Sequence, residues 1–145
     1  MKISTKGRYA LRVMIDLAFH DTGEYIALKD ISARQGITVK YLEQIVTSLG
    51  KAGLVRSMRG SNGGHRLARK PEEYTVGEIL RTVEGSLAPV ECLQGEKNDC
   101  PRAEGCVTLK FWQGLDDVVN NYVDNYSLKD LVDETKENSA YDYSI

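Results

Sequence analysis

The sequence predicts a mainly α fold: a winged helix-turn-helix DNA-binding domain with a β-hairpin wing, plus a long C-terminal dimerisation helix. Two short amphipathic segments joined by a glycine turn, and a glycine-rich hairpin after them, indicate this architecture. Charge is the third feature: residues 1–70 carry 13 Lys/Arg and 5 Asp/Glu, whereas residues 71–145 carry 6 Lys/Arg and 16 Asp/Glu. A basic half favours a polyanion, most simply double-stranded DNA, although a charge imbalance can also serve only solubility.

The first helix is expected to start at a cap provided by Ser4 or Thr5 and to end before Gly23. Its apolar residues recur at three- and four-residue intervals, which places them on one face of a helix. These residues are Ala10, Val13, Met14, Leu17 and Ala18.

The helix-turn-helix is predicted over residues 28–52. A helix over 28–35 is stopped by Gly36, a residue that accepts the left-handed conformation after a helix end. Thr38 is placed to cap the second helix, over 39–52, whose start would enter the DNA major groove.

The wing is predicted as a hairpin in which strands around 54–59 and 65–68 flank a tip at 60–64. The tip reads Gly-Ser-Asn-Gly-Gly, and Asn and Gly tolerate positive φ. Arginines in the hairpin are expected to meet phosphate or enter a narrow minor groove. They are Arg56, Arg59, Arg66 and Arg69.

The second half is divided into a connecting helix within 71–91, a cysteine loop at 92–106, two helices within 107–132 and a polar tail at 133–145. Thr75 and Glu78 form the pattern of a capping box, as do Ser127 and Asp130 before a short helix ending at Val132. A long helix over 107–125 carries an apolar stripe that a symmetric dimer would bury. The stripe consists of Leu109, Trp112, Leu115, Val119, Tyr122 and Tyr126.

The only three cysteines of the chain lie together, as Cys92, Cys100 and Cys106. An odd count cannot pair fully into disulfides, and the charged amphipathic start is not a secretory leader, so a cytoplasmic location is expected. No apolar run approaches the roughly 20 residues that span a bilayer, so no membrane partner is expected. Clustered thiolates in a reducing compartment favour zinc or an iron–sulfur cluster with a fourth ligand from elsewhere. The alternative is an adaptable loop in which the thiols lie near one another without a role.

Several segments together resemble the IscR-type family of bacterial iron–sulfur-cluster regulators, to which the cysteine-metabolism repressor CymR is related. They are Met-Lys-Ile-Ser-Thr-Lys-Gly-Arg-Tyr-Ala at 1–10, Tyr-Leu-Glu-Gln at 41–44, Gly-Leu-Val at 53–55 and the glycines of 59–64. The resemblance implies a homodimeric winged-helix transcription factor acting on a palindromic DNA operator, and not an enzyme. It also implies a 2Fe-2S cluster bound through Cys92, Cys100 and Cys106.

Two positions depart from the family pattern. Leu109 occupies the place of the histidine that serves as fourth cluster ligand, so the fourth ligand here would be Glu91, Asp99 or Glu104, a residue of the partner chain, or a small exogenous molecule. Lys40 replaces a small hydroxyl residue that faces DNA. Zinc binding, or direct thiol redox switching, is the alternative use of the cysteines.

Base reading is assigned to the start of the second helix of the motif. Gln44 suits adenine and Glu43 suits a cytosine amino group, unless Glu43 only pairs with Lys40 or Arg34. The full set of predicted DNA-binding residues is Lys6, Arg8, Thr38, Val39, Lys40, Tyr41, Glu43, Gln44, Arg56, Arg59, Asn62, Gly63 and Gly64.

Three further residues are expected to have structural roles rather than to bind DNA or metal. Arg12 lies four residues before Asp16, so an intrahelical ion pair is expected there. His20 and His65 are expected to be surface or packing residues and not metal ligands.

No nucleophile–base pair is evident, and the glycine-rich tip lacks the Lys-Ser/Thr of a phosphate-binding loop.

Overall fold

The computed structural model describes the backbone of residues 2–143 and the side chains of residues 2–138. Within that part the chain forms six α-helices and one two-stranded antiparallel hairpin, which confirms the mainly helical winged-helix prediction. The elements are α1 (Thr5–Phe19), α2 (Leu28–Gln35), α3 (Val39–Lys51), β1 (Val55–Met58), β2 (Gly64–Leu67), α4 (Val76–Glu84), α5 (Leu109–Asp124) and α6 (Leu128–Tyr143).

Helix α1 lies at the centre of the main core. Ser4 caps it by accepting a 3.3 Å hydrogen bond from the Gly7 N–H, and the predicted apolar stripe is buried apart from the half-buried Ala18. Burial of such a stripe supplies most of the stability of an amphipathic helix. The helix packs on α4, α6, β2 and both helices of the predicted DNA-binding motif.

The helix-turn-helix forms as predicted. Gly36 adopts φ +67° and its N–H donates to the Ser32 carbonyl at 2.9 Å, which ends α2. Ile37 enters the core, and Thr38 caps α3 by accepting from the Tyr41 N–H at 3.2 Å. The inner face of α3 is buried through Leu42, Ile45, Val46 and Leu49.

The wing is joined to the loop before α2. In the hairpin Val55 pairs with Leu67 and Met58 pairs with Gly64. His65 and Ile26 exchange two backbone hydrogen bonds of 2.8 Å, so Ile26 of the loop forms an isolated antiparallel bridge with β2. The position of the wing is therefore fixed on both sides.

A corner connects α4 to the junction of α5 and α6. The Val76 N–H donates to the Tyr126 carbonyl at 2.8 Å, and the Leu128 N–H donates to the Tyr74 carbonyl at 3.0 Å. Thr75 caps α4 as expected. The predicted return contact from Glu78 was wrong, because its carboxylate instead pairs with Arg69 at 2.6 Å.

The C-terminal helices differ from the predicted bounds. Helix α5 starts at Leu109 rather than at 107, and α6 continues past Val132 to Tyr143, into the segment predicted as a polar tail. Met1, Ser144 and Ile145 lie outside the described residues. The segment 128–143 contains neither Gly nor Pro, and Lys129 pairs with Asp133 one turn on, so polar composition did not prevent helix formation. The Ser127–Asp130 capping box forms in both directions.

Candidate DNA interface and cysteine loop

The start of α3 is exposed to solvent. Thr38, Val39 and Lys40 are exposed on its first turn, and Glu43 and Gln44 are exposed on the next. Tyr41 is half-buried because its ring packs on the core. The residues predicted to read bases thus share one open surface, at the end of the helix that enters a major groove in this fold.

Glu43 has no ionic partner within 4 Å among the described side chains. Of the two partners suggested for it, Lys40 forms no ion pair within the described residues, and Arg34 donates to Asp16 instead, at 2.7 and 3.0 Å. That hydrogen bond to Asp16 raises the pKa of Arg34. Glu43 is therefore a carboxylate that faces solvent beside Gln44, where it can accept from a ligand.

Two of the three basic residues of α1, Lys6 and Arg8, are predicted DNA contacts. Lys6 donates from Nζ to Ser48 Oγ of α3 at 3.0 Å, which holds its charge beside the recognition helix. Arg8 is exposed and donates to Thr5 Oγ1 at 3.0 Å. Both retain further donors for phosphate oxygens, since Lys has three and Arg has five.

The four wing arginines divide into two pairs. Arg56 and Arg59 are exposed. Arg66 donates to the Gly23 carbonyl at 2.8 Å and lies over the Tyr25 ring, and Arg69 pairs with Glu78. In the free protein, donors of Arg66 and Arg69 are thus used at the base of the wing, and their contact with phosphate stays a prediction.

The wing tip depends on close backbone approach. A Cβ on Gly63 would collide with the Met58 carbonyl oxygen, and one on Gly64 would collide with the Ile26 carbonyl oxygen. Asn62 is exposed at the tip. Gly63 and Gly64 therefore shape the wing.

A groove of about 590 Å³ runs between α3 and the wing. Its lining includes Lys51, Met58 and Arg59, of which only Arg59 was singled out from the sequence. A signal for Lys51 existed, because Gln44, Thr47, Ser48 and Lys51 recur at helical spacing on one face.

His65 also lines this groove and serves packing, as predicted. Its Nδ1 lies 2.7 Å from Ser57 Oγ, and burial lowers its pKa, so the ring is neutral at neutral pH.

The cysteine loop joins α4 to α5 through two short 3-10 turns, at Glu91–Leu93 and Ala103–Gly105. Cys92 and Cys100 line one cavity of about 560 Å³ together with Glu91 and Asp99, two of the predicted fourth ligands. Cys106 and Glu104 are not part of this lining. In the described part of the chain, no three His, Cys, Asp or Glu side chains converge as ligands for one metal ion.

Cys106 lies three residues before Leu109, the first residue of α5. Its Sγ is 3.6 Å from Thr108 Oγ1, and the hydroxyl together with nearby backbone N–H groups lowers the pKa of the thiol. All three cysteines are partly buried free thiols. The loop therefore offers three soft donors, one of them with enhanced thiolate character.

Helix α5 presents an apolar face that the described chain does not cover. Phe111, Val118 and Tyr122 are 66%, 65% and 67% exposed, and none of the described side chains on α5 is fully buried. Next to this face lies an apolar cavity of about 380 Å³, formed with Ile3 and Leu87 among others. Within residues 2–143 no helix has both the length and the apolar character needed to cross a membrane.

Residues 3–134 match a protein-family model, Rrf2, described as an iron-dependent transcriptional regulator. The chain belongs to the Rrf2 family. A curated relative from Aliivibrio salmonicida, an HTH-type transcriptional regulator IscR, is 41% identical over 91% of this chain and 77% of its own. Rrf2 relatives are transcriptional regulators, and no catalytic family is indicated.

Solved structures of Rrf2 relatives show the same fold. The structure described as CymR (YrzC), the global cysteine regulator of B. subtilis, has a TM-score of 0.75 at 39% identity, over 92% of this chain and 98% of the other. The IscR of T. potens has a TM-score of 0.74, also at 39% identity, over 94% and 90%. The resemblance to the IscR-type family is confirmed, and the chain is an Rrf2 transcriptional regulator related to both IscR and CymR.

Proposed function

We propose that this Rrf2 regulator acts as a homodimer on a palindromic DNA operator and senses iron–sulfur cluster or redox status through its cysteine loop. The observation that carries the proposal is the exposed start of α3, with Lys6 held against that helix and Arg59 lining the groove between α3 and the wing. Because DNA is the partner, the proposal includes a cytoplasmic location.

On DNA, the start of α3 enters the major groove. Gln44 donates to and accepts from adenine, and Glu43 accepts from a cytosine amino group, as the exposed positions of both side chains allow. Thr38, Val39, Lys40 and Tyr41 border the same edge. Arg59, with Asn62 and the backbone of Gly63 and Gly64, follows the adjacent minor groove, while the other basic groups neutralise phosphates.

A second copy of the chain is the proposed cover for the exposed face of α5. Val118 and Tyr122 would pack against their equivalents around a two-fold axis, closing the apolar cavity beside Ile3 and Leu87. Two recognition helices related by that axis would require an operator with matching half-sites.

The chemistry of the cysteine loop suits a 2Fe-2S cluster, since three thiolates are the donors such a cluster prefers. Cys92 and Cys100 already share a cavity with Glu91 and Asp99, and this supports either carboxylate, ahead of Glu104, as the fourth ligand. Cys106 must move towards that cavity for all three thiolates to bind one group. When bound, the cluster supplies a redox-active and oxidant-labile centre.

Ordering of the loop would couple the two functions. The loop connects α4, which packs on α1 and α3 of the DNA-binding half, to α5, the proposed dimer helix. A loop conformation that moves α5 changes the spacing of the two recognition helices, so each site biases the geometry of the other.

The test is anaerobic purification followed by visible absorption and by iron and sulfide quantitation. We expect a coloured protein whose operator affinity differs from that of a triple Cys92→Ala, Cys100→Ala, Cys106→Ala variant. Glu91→Ala and Asp99→Ala, with Glu104→Ala as their comparison, identify the fourth ligand through a change in the spectrum. A triple variant that binds every operator as the cluster-loaded protein does would refute the coupling.

The second candidate is a regulator whose cysteines bind zinc or act directly as redox switches. The partly buried Cys106 thiol with its lowered pKa favours this use, as does the similarity to a structure described as a cysteine regulator. Zinc is colourless, and a thiol switch contains no metal. A colourless anaerobic protein with stoichiometric zinc, or a metal-free one whose DNA affinity responds to peroxide, would support this candidate over the cluster.

A further inference from the structure

A buried carboxylate joins α1 to the helix-turn-helix. Asp16 of α1 is 2% exposed and accepts a bidentate pair from Arg34 of α2, at 2.7 and 3.0 Å. Its Oδ2 also accepts from Gln35 Nε2 at 2.9 Å. A buried carboxylate satisfied in this way fixes the groups that donate to it.

Gln35 is held from its other end by Arg12. The Arg12 Nε donates to Gln35 Oε1 at 3.1 Å, and its Nη2 donates to the Gln35 backbone carbonyl. The expected ion pair between Arg12 and Asp16 is therefore replaced by a relay in which the Gln35 amide lies between them. Because Asp16 can only accept and Arg12 can only donate, the amide has one permitted orientation.

Arg12 also contacts the aromatic pair that supports the recognition helix. Its guanidinium carbon lies 5.1 Å from the centroid of the Tyr9 ring. Tyr9 in turn meets Tyr41 of α3 edge-on, with centroids 5.7 Å apart and ring planes at 82°. One side chain thus touches the end of α2 and, through Tyr9, the start of α3.

We propose that Arg12 is a positioning residue that sets the angle of the recognition helix, and that it acts on DNA specificity through Gln35 and Tyr9 rather than through phosphate. The inference rests on the proposed DNA-binding function. Arg12 donates to the side-chain oxygen and to the backbone carbonyl of Gln35, the residue just before Gly36 in the turn. Lysine would keep the charge but lose the paired donors and the guanidinium contact with the Tyr9 ring.

The test compares two duplexes and three variants of the full-length chain. The wild-type protein is used to enrich a duplex from a random library, and a shuffled duplex of the same composition is the non-specific reference. The variants are Arg12→Lys, Gln35→Met and their combination, with affinities measured by fluorescence anisotropy over a range of salt concentrations. Circular dichroism and thermal unfolding accompany each variant.

We expect Arg12→Lys to weaken binding to the enriched duplex about tenfold, the cost of misplacing one base contact, with a salt slope and shuffled-duplex affinity close to wild type. Gln35→Met should do the same although Arg12 remains, and the double variant should lose no more than either single one. A purely structural defect would instead lower both affinities together with the unfolding temperature.

Two results would overturn the inference while the proposed function stands. One is an Arg12→Lys protein that binds the enriched duplex as the wild type does, which would indicate that charge alone matters. The other is an Arg12→Lys protein whose affinity falls by the same factor for the enriched and the shuffled duplex. If the wild type enriches no duplex, the proposed DNA-binding function fails, and the role of Arg12 fails with it.

Discussion

The hydroxyl of Tyr74 donates a 2.6 Å hydrogen bond to the backbone carbonyl of Leu54, the residue just before β1. The same oxygen accepts from the N–H groups of Ala68 and Arg69 just after β2, at 3.0 and 2.9 Å. Tyr74 is fully buried, and its own carbonyl accepts from Leu128. One side chain therefore closes the base of the wing, while its backbone holds the start of α6.

Tyr74→Phe should lower the free energy of unfolding by about 1–3 kcal/mol, because the Arg69 N–H loses its partner. The Leu54 carbonyl and the Ala68 N–H keep only the 3.3 Å hydrogen bond between them. Urea denaturation followed by circular dichroism measures the change. Burial raises the pKa of Tyr74. Above about pH 10 the unfolded chain loses this proton while the folded chain keeps it, so wild-type stability should fall as pH rises there.

The Phe variant should show less of this alkaline loss. Tyr126→Phe is the matched comparison, since the Tyr126 hydroxyl donates to Glu134, which raises the pKa of Tyr126 to about 12. Solvent screens this pair, so Tyr126 should contribute less to the alkaline loss than the buried Tyr74. If the free energy of unfolding falls with rising pH as steeply in both variants as in the wild type, the loss of stability does not come from Tyr74.

Val118→Asp should dissociate the proposed dimer. A carboxylate at this 65% exposed position leaves the folded monomer intact but would be buried without a partner in the interface. We expect the dimer dissociation constant to rise about 100-fold, measured by sedimentation velocity over a concentration series. Gln113→Glu adds the same charge at an exposed position elsewhere on α5 and should leave the dimer unchanged. A wild type that sediments as a monomer at all concentrations would refute the interface.

Gly63→Ala should weaken DNA binding about tenfold through the shape of the wing, since the added Cβ collides with the Met58 carbonyl. The core lies elsewhere, so the unfolding midpoint should change little. Ser61→Ala, at an exposed position of the same tip, is the control. Equal DNA affinity of the two variants would show that the wing does not contribute.

Thr108→Val should slow alkylation of Cys106 in the reduced, metal-free protein about threefold at neutral pH. The Thr108 hydroxyl lowers the pKa of the thiol, so its removal moves the pH–rate profile for this cysteine to higher pH. Iodoacetamide labelling followed by peptide mass spectrometry gives the rate for each cysteine. Thr135→Val, whose hydroxyl donates to the Leu131 carbonyl instead, should react as the wild type.

The DNA-binding half could be predicted because its determinants are local. Thr38, Gly36 and the glycines of the tip each specify a cap or a turn within a few residues, and the apolar spacing of α1 and α3 specifies their buried faces. The prediction that the last helix ends at Val132 was wrong for a different reason. Polar composition was interpreted as an end of structure, although nothing in 128–143 breaks a helix.

Contacts between helices distant in sequence could not be predicted. The i, i+4 rule favoured Arg12 with Asp16, yet Arg34 and Gln35 approach that carboxylate from α2 and occupy it. Spacing along the loop likewise does not determine that Cys92 and Cys100 line one cavity while Cys106 is absent from its lining. The predicted ligand and DNA-contact residues remain predictions.

The pair of backbone hydrogen bonds that joins Tyr74 and Val76 to Leu128 and Tyr126 has a consequence for engineering. It anchors the far end of α5 to the body of the molecule, so a loop of different length or ligand chemistry can be grafted between Gly85 and Thr108 without detaching that helix. Under the proposed coupling of the loop to operator binding, such chimaeras would let DNA affinity report on analytes of the experimenter's choosing.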